Sequence, residues 1–183
     1  MQTKTSVGLA TRPQKNHRDS GRILVLGLGN ILLKDEGIGV HIVQKLQELS
    51  LLDNVEVIDG GTAGLDILLS QEGLGKLVVI DAMRAGKKPG TIYKTRLKSE
   101  EKDRLGKIFS REGKSKISLH QIGLGDALAA AEKINCAPGE IIIIGIEPKE
   151  IDYGLELTEE VKQRIPEIIN TVLEEIKDAV YEG

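Results

Sequence analysis

The chain has 183 residues, with 25 basic and 28 acidic side chains and a formal net charge of −3. This near-balance excludes general nucleic-acid binding, which shows a basic excess, and three Tyr, one Phe and no Trp leave no platform for stacking single strands. The single cysteine, Cys136, rules out an intramolecular disulfide or a Cys-rich zinc cage and fits a reducing, cytoplasmic compartment.

Residues 1–20 are polar. They carry Lys4, Arg12, Lys15 and Arg18 but no apolar run of the kind a secretory signal needs, so they read as a disordered tail. A single α/β domain is expected over 21–183. Its first element is a strand at Ile23–Leu26, apolar on both faces as in a parallel sheet. The longest apolar stretch, Ile23–Leu33, is too short to cross a bilayer and is interrupted by Gly27, Gly29 and Asn30. A glycine-rich turn follows at 27–30, then a loop bearing Lys34, Asp35 and Glu36. Gly37–Leu49 has helical spacing, with Ile38, Ile42, Val43 and Leu46 on one face.

The pattern then recurs. Val55–Ile58 reads as a strand ending at Asp59, followed by a helix through Leu65, Leu68 and Leu69. Leu77–Ile80 is a strand ending at Asp81. Thr91–Leu97 alternates polar and apolar residues, as a half-exposed edge strand does. Residues 98–116 read as a charged helix plus loop, Gly123–Ile134 as a helix and Ile141–Ile146 as a central strand. Thr158 is the expected N-cap of a last helix running to about Val180, with a kink or break at Pro166. This alternation predicts a three-layer α/β/α sandwich around a mostly parallel twisted sheet. Residues 87–116 hold eleven basic and four acidic side chains, which is either a solvated surface segment or a docking face for an acidic partner.

In open α/β sheets, ligands bind at the carboxyl ends of the strands. Asn30, Asp35 and Glu36 follow the first strand, Asp59 the second and Asp81 the third. Carboxylates gathered on one crevice repel one another unless a cation lies between them, which argues for a metal or cationic ligand. Of three histidines, His17 falls in the tail and His41 reads as a helix-surface or partly buried residue. His120 sits on a loop in Ser118-Leu-His-Gln121 and could complete a nitrogen and oxygen ligand set. Other chemistries lack their residues. There is no H-E-x-x-H helix, no G-x-S-x-G elbow and no phosphate loop, and Cys136 reads as a packing residue. Gly27-Leu-Gly29 begins like a dinucleotide fingerprint, but Leu32 holds the third glycine position and the Asp35-Glu36 pair would oppose a pyrophosphate.

Several segments, taken in order, resemble one family. They are Ile-Leu-Val-Leu-Gly-Leu-Gly-Asn-Ile-Leu-Leu-Lys-Asp-Glu-Gly-Ile-Gly-Val (23–40), Asp-Gly-Gly-Thr-Ala-Gly (59–64), Val-Val-Ile-Asp-Ala (78–82), Pro-Gly-Thr (89–91), Ser-Leu-His-Gln-Ile-Gly-Leu (118–124) and Gly-Ile-Glu-Pro (145–148). Together they are similar to the nickel–iron hydrogenase maturation proteases. The resemblance implies a five-stranded mixed sheet with one antiparallel strand. It also implies an endopeptidase that removes the C-terminal peptide of the hydrogenase large-subunit precursor after nickel insertion. The metal ligands it implies are Glu36, Asp81 and His120, with Asp59 at a position tied to function without ligating the metal. Nickel would be supplied by the substrate, and other divalent metals could occupy the same ligands. The nucleophilic water could be activated by the metal or by Asp59 or Asp81 as general base, so the enzyme is of an aspartic or metal-dependent type. The expected state is a cytoplasmic monomer with no nucleic-acid or membrane partner. Two other readings are a non-enzymatic nickel chaperone of hydrogenase assembly, which would keep Glu36, Asp81 and His120, and a nucleotide-binding Rossmann-like module, which would need phosphate contacts at the Gly27–Asn30 turn.

Overall fold

Strand β1 (Ile23–Leu28) is buried at every position, as is β3 (Lys76–Ala82), and β5 (Glu140–Ile146) is buried at all but its first residue. Such runs have apolar side chains on both faces and occupy the middle of a sheet covered on both sides. The half-exposed β2 (Val55–Gly61) and β4 (Ile92–Lys98) take the edges, giving the order β2-β1-β3-β5-β4. Every pair is parallel except β4 with β5. The expected five-stranded mixed sheet is therefore present, with the edge strand one residue later at each end than the alternation suggested. This computed structural model describes residues 21–63, 67, 70–71, 73–98 and 137–178. The expected tail, most of the helix around Leu65–Leu69, the 98–116 and 123–134 segments (Lys98 excepted), His17, His120 and Cys136 lie outside them.

Alternation along the strands makes two cores. One face carries Ile23, Val25, Val78, Ile80, Ile142 and Ile144, which meet α1 (Ile38–Gln47) through Ile38, Ile42, Val43 and Leu46. The other face carries Leu24, Leu26, Leu77, Val79, Ile141 and Ile143, and Ile67 packs there from a helical turn. The chain steps from β1 to β2 through α1 on one face. It then returns past β1 to β3 by way of Ile67 on the other. Crossovers in opposite directions on opposite faces share one hand, as parallel sheets require.

The last expected helix is divided into α2 (Glu159–Lys162) and α3 (Ile165–Asp178). Pro166 explains the break, because its ring nitrogen has no hydrogen to give to the Lys162 carbonyl, whereas the first turn of a new helix tolerates it. Thr158 stands at the N-cap of α2 but makes no side-chain capping bond, since its hydroxyl is engaged elsewhere. Helix α3 lays Ile168, Val172 and Ile176 on the α1 face of the sheet.

At the amino ends of β3 and β5 an ion-pair network fastens α3. Lys76 reaches Glu140 at 3.0 Å and the Glu175 carbonyl at 3.0 Å. Arg96 spans Glu140 at 2.8 Å and Glu175 at 2.6 Å, and Lys94 reaches Glu175 at 2.9 Å. Burial raises the Glu140 pKa, but the bonds from Lys76 and Arg96 outweigh it and hold this carboxyl below the usual range. Lys94 and Arg96 belong to the basic 87–116 run. They are committed to pairs within the chain rather than held out for a partner. Among the described residues no helix is long and apolar enough to cross a membrane.

Candidate active site

Because the chain leaves β1 toward β2 and comes back to β3, the sheet has its topological switch point between β1 and β3. The loops leaving these two strands diverge there, and in open α/β sheets this is where the ligand crevice forms. Glu36 lies on the loop after β1, and Asp81 is near the end of β3. They flank the same switch point.

Two glycines bring Glu36 down onto the sheet. Gly29 adopts φ +134, and a Cβ there would overlap the Glu36 carbonyl. At Gly39, a Cβ would overlap the carbonyl oxygens of both Leu28 and Ile80, so the start of α1 is wedged against the ends of β1 and β3. Ile80 immediately precedes Asp81. The glycines of the first motif thus serve close backbone approach. Where a loop was expected, Lys34–Gly37 is a 3-10 helix, entered through Lys34 in the left-handed region at φ 48.

Asp35 does not face the crevice with Glu36. It is fully buried, and its carboxylate accepts the backbone N–H groups of Lys149 (2.9 Å), Glu150 (3.0 Å) and Thr158 (2.7 Å). The Thr158 hydroxyl donates to it as well. Asp35 therefore clamps the 149–158 loop onto the 3-10 helix that carries Glu36. The sequence pointed to Asp35 as an edge carboxylate; long-range donors of this kind leave no local signature.

Asp81 is fully buried, and its Oδ1 accepts the Ala82 N–H at 2.8 Å. It is level with Gly145 of β5, where a Cβ would strike Met83. Asp59 is exposed, and its Oδ1 accepts the Gly61 N–H at 3.0 Å, the bond of a turn-forming aspartate. Its strand lies beyond β1, roughly 10 Å across the sheet from β3. Its level partner is Gly27, which is level with Ile80, so Asp59 shares a face with Ile80 and Asp81 takes the opposite one. Glu36 and Asp81 thus lie on segments that flank the switch point, and Asp59 stands on the edge strand beyond β1.

Glu147, in the Gly-Ile-Glu-Pro motif, is a buried carboxylate that the charge pattern did not single out. It accepts the N–H groups of Ala85 (2.8 Å) and Gly86 (3.1 Å) and the hydroxyl of Tyr93, fixing the loop that leaves Asp81. Burial pushes the Glu147 pKa up, but the Tyr93 hydroxyl and the amides outweigh it and the net shift is down. Tyr93 is pushed up to about 12, by burial first and then by Glu147. His41 is the partly buried helix residue expected. Burial lowers its pKa, partly offset by a bond to the Leu155 carbonyl. Among the described residues no three His, Cys, Asp or Glu side chains gather closely enough to hold a metal, and the expected third ligand, His120, lies outside them.

A doubly wound α/β protein with two carboxylate-bearing segments at its switch point is suited to a cationic centre. Asp35 and Glu36 stand where a dinucleotide fold seats its pyrophosphate, at the start of α1. Residues 40–175 match the family model described as hydrogenase maturation protease. The chain is 38% identical to the hydrogenase 2 maturation protease of Escherichia coli over 164 residues, spanning 88% of this chain and 94% of that one. It is 41% identical to the hydrogenase expression/formation protein HupD of Rhizobium leguminosarum bv. viciae, over 83% of this chain and 72% of that one. The solved hydrogenase maturating endopeptidase HybD from E. coli superposes with a TM-score of 0.76 at 36% identity, covering 86% of this chain and 93% of that chain. The maturation protease HybD from Thermococcus kodakarensis superposes with a TM-score of 0.65 at 31% identity, covering 84% and 97%. The chain belongs to the hydrogenase maturation protease family and is a hydrogenase maturation peptidase.

Proposed function

We propose that this endopeptidase removes the C-terminal peptide of a nickel–iron hydrogenase large-subunit precursor once nickel is in place, and that Glu36, Asp81 and His120 engage that nickel as part of the substrate. What supports this reading is that the segments carrying Glu36 and Asp81 flank one switch point, held there by close backbone approaches at Gly29 and Gly39. Two carboxylates and an imidazole suit a borderline divalent ion and leave coordination positions open. A bound divalent metal polarises a carbonyl or acidifies a water.

The chain's own groups supply position. The Ala82 amide orients Asp81, the Asp35 clamp holds the turn that carries Glu36, and Glu147 fixes the loop beyond Asp81. Asp59 holds the Gly61 amide at the end of β2, and remains the candidate general base beside Asp81. The enzyme works as a cytoplasmic monomer that docks on its larger precursor. Intact-mass spectrometry of nickel-loaded precursor incubated with the enzyme, beside a nickel-free control, tests this. Loss of a C-terminal peptide from the loaded sample alone is expected. Equal cleavage of both would remove nickel from the reading, and cleavage of neither would remove the substrate.

A further inference from the structure

Of the six large hydrophobic side chains exposed among the described residues, four lie together beside the crevice: Ile31 (40% exposed), Leu32 (55%), Tyr153 (86%) and Leu155 (64%). They sit on two segments bound to each other. Gly154 donates to the Leu32 carbonyl at 3.0 Å and accepts the Lys34 N–H at 2.9 Å, and Leu33 bridges Gly154. Tyr153 and Leu155 therefore flank the residue that pairs with the β1 loop. The remaining two, Leu49 and Leu52, lie between α1 and β2, on the connection that enters β2 at its amino end.

This exposure is not that of a loose loop. Asp35 takes bonds from Lys149 and Glu150 at one end of the 149–158 segment and from Thr158 at the other. Lys34 and Glu150 pair at 2.6 Å. The backbone is fixed, so the apolar side chains cannot turn inward by local refolding. Aromatic and aliphatic side chains held rigidly in solvent lose little entropy on binding, which is how binding hot spots are built. The adjacent Lys34 and Glu150 charges satisfy each other, which favours an apolar counterpart over a charged one.

We infer that Ile31, Leu32, Tyr153 and Leu155 form the rim on which an apolar face of the hydrogenase precursor docks, next to the C-terminal segment to be cut. The inference rests on the substrate reading above. Continuity with the site names the occupant. Leu32 is separated from Glu36 by little more than the first turn of the 3-10 helix, so a polypeptide delivered to Glu36 and Asp81 passes over this rim.

The test compares full-length wild type with a Leu32→Ser, Tyr153→Ser, Leu155→Ser variant in steady-state cleavage of nickel-loaded precursor, alongside thermal melting and sedimentation of the enzyme alone. The variant is expected to raise KM roughly tenfold or more while kcat changes by less than about threefold. An unchanged KM in a folded variant overturns the rim, while wild type that fails to cleave overturns the substrate reading beneath it. If the triple variant melts early, Tyr153→Ser alone decides, because its largely solvated ring supports little of the fold, and the expected rise is then about threefold. A wild-type dimer that the variant abolishes, with KM unmoved, would give the rim to a second copy of this chain instead.

Discussion

The two ends of the sheet hold their carboxylates in opposite ways. At the amino end, Glu140 and Glu175 are met by Lys76, Arg96 and Lys94, and the charges cancel within the chain. At the carboxyl end, Asp35 and Glu147 are held by backbone amides and hydroxyls, donors that fix a carboxylate while leaving its charge in place. One end uses charge to fasten α3. The other arranges negative charge around a crevice, where an incoming cation is the natural counterion. Buried charge alone does not mark a functional site. The identity of the partners does.

The largest effects should come from the crevice. Glu36→Ala and Asp81→Asn are each expected to lower precursor cleavage by about a hundredfold or more, since each removes a proposed ligand of the substrate metal. Melting of Glu36→Ala should stay near wild type because Glu36 stands on a turn outside both apolar clusters. Substantial cleavage by either folded variant would break the contrast between the two ends.

A paired substitution sharpens it. Asp35→Ala strands three backbone N–H groups and a hydroxyl, and should cost about 3 kcal/mol of stability by chemical denaturation. It should also lower kcat, because the turn that carries Glu36 loses its anchor. Glu175→Ala removes the partner of Lys94 and Arg96, but both cations are nearly half exposed and can turn to water. Its cost should be smaller, about 1–2 kcal/mol, reduced further in high salt, with kcat unchanged. A Glu175 variant that lost activity in proportion to Asp35→Ala would show that the two ends are coupled through the sheet.

The fold was legible where a single local rule decided it. Strands β1, β3 and β5 announce themselves as unbroken apolar runs, β4 as an alternation, and the break at Pro166 follows from a missing N–H. The placement of Glu36 and Asp81 at the carboxyl edge was legible because strand ends of a parallel sheet share an edge. What the sequence could not reveal was which neighbour each carboxylate meets. Asp35 and Glu36 are adjacent and chemically alike, yet a 3-10 turn sends one to the 149–158 loop and leaves the other by the crevice. That outcome depends on Lys149 and Thr158, more than a hundred residues away. Asp59 matched the edge pattern too, but alternation fixes its face, and strand order, which is long-range information, puts β1 between it and Asp81. Glu147 was missed for the same reason, since its partners Ala85, Gly86 and Tyr93 lie 54 to 62 residues earlier in the chain.

The smallest effect isolates the amide-held end by pH. Tyr93 gives its proton to a bond with Glu147, and its ionisation is pushed from 10.0 to about 12. A raised pKa on an acid means that the folded state prefers the neutral phenol. The stabilisation is therefore complete below pH 10 and is lost as pH rises toward 12. Glu147 has the opposite sign. Its pKa is depressed below the ordinary 4.5, so its contribution is complete above that value and is lost as pH falls through the folded pKa. The difference in phenolate absorbance between wild type and Tyr93→Phe, followed through alkaline pH, should therefore rise near 12. Tyr93→Phe should also lose the part of its stability that fades above pH 10, while leaving Glu147 its amide bonds to Ala85 and Gly86 and most of its acid dependence. A difference signal rising near 10 would mean that Tyr93 is neither buried nor bonded to Glu147 in solution, and that amides alone hold Glu147.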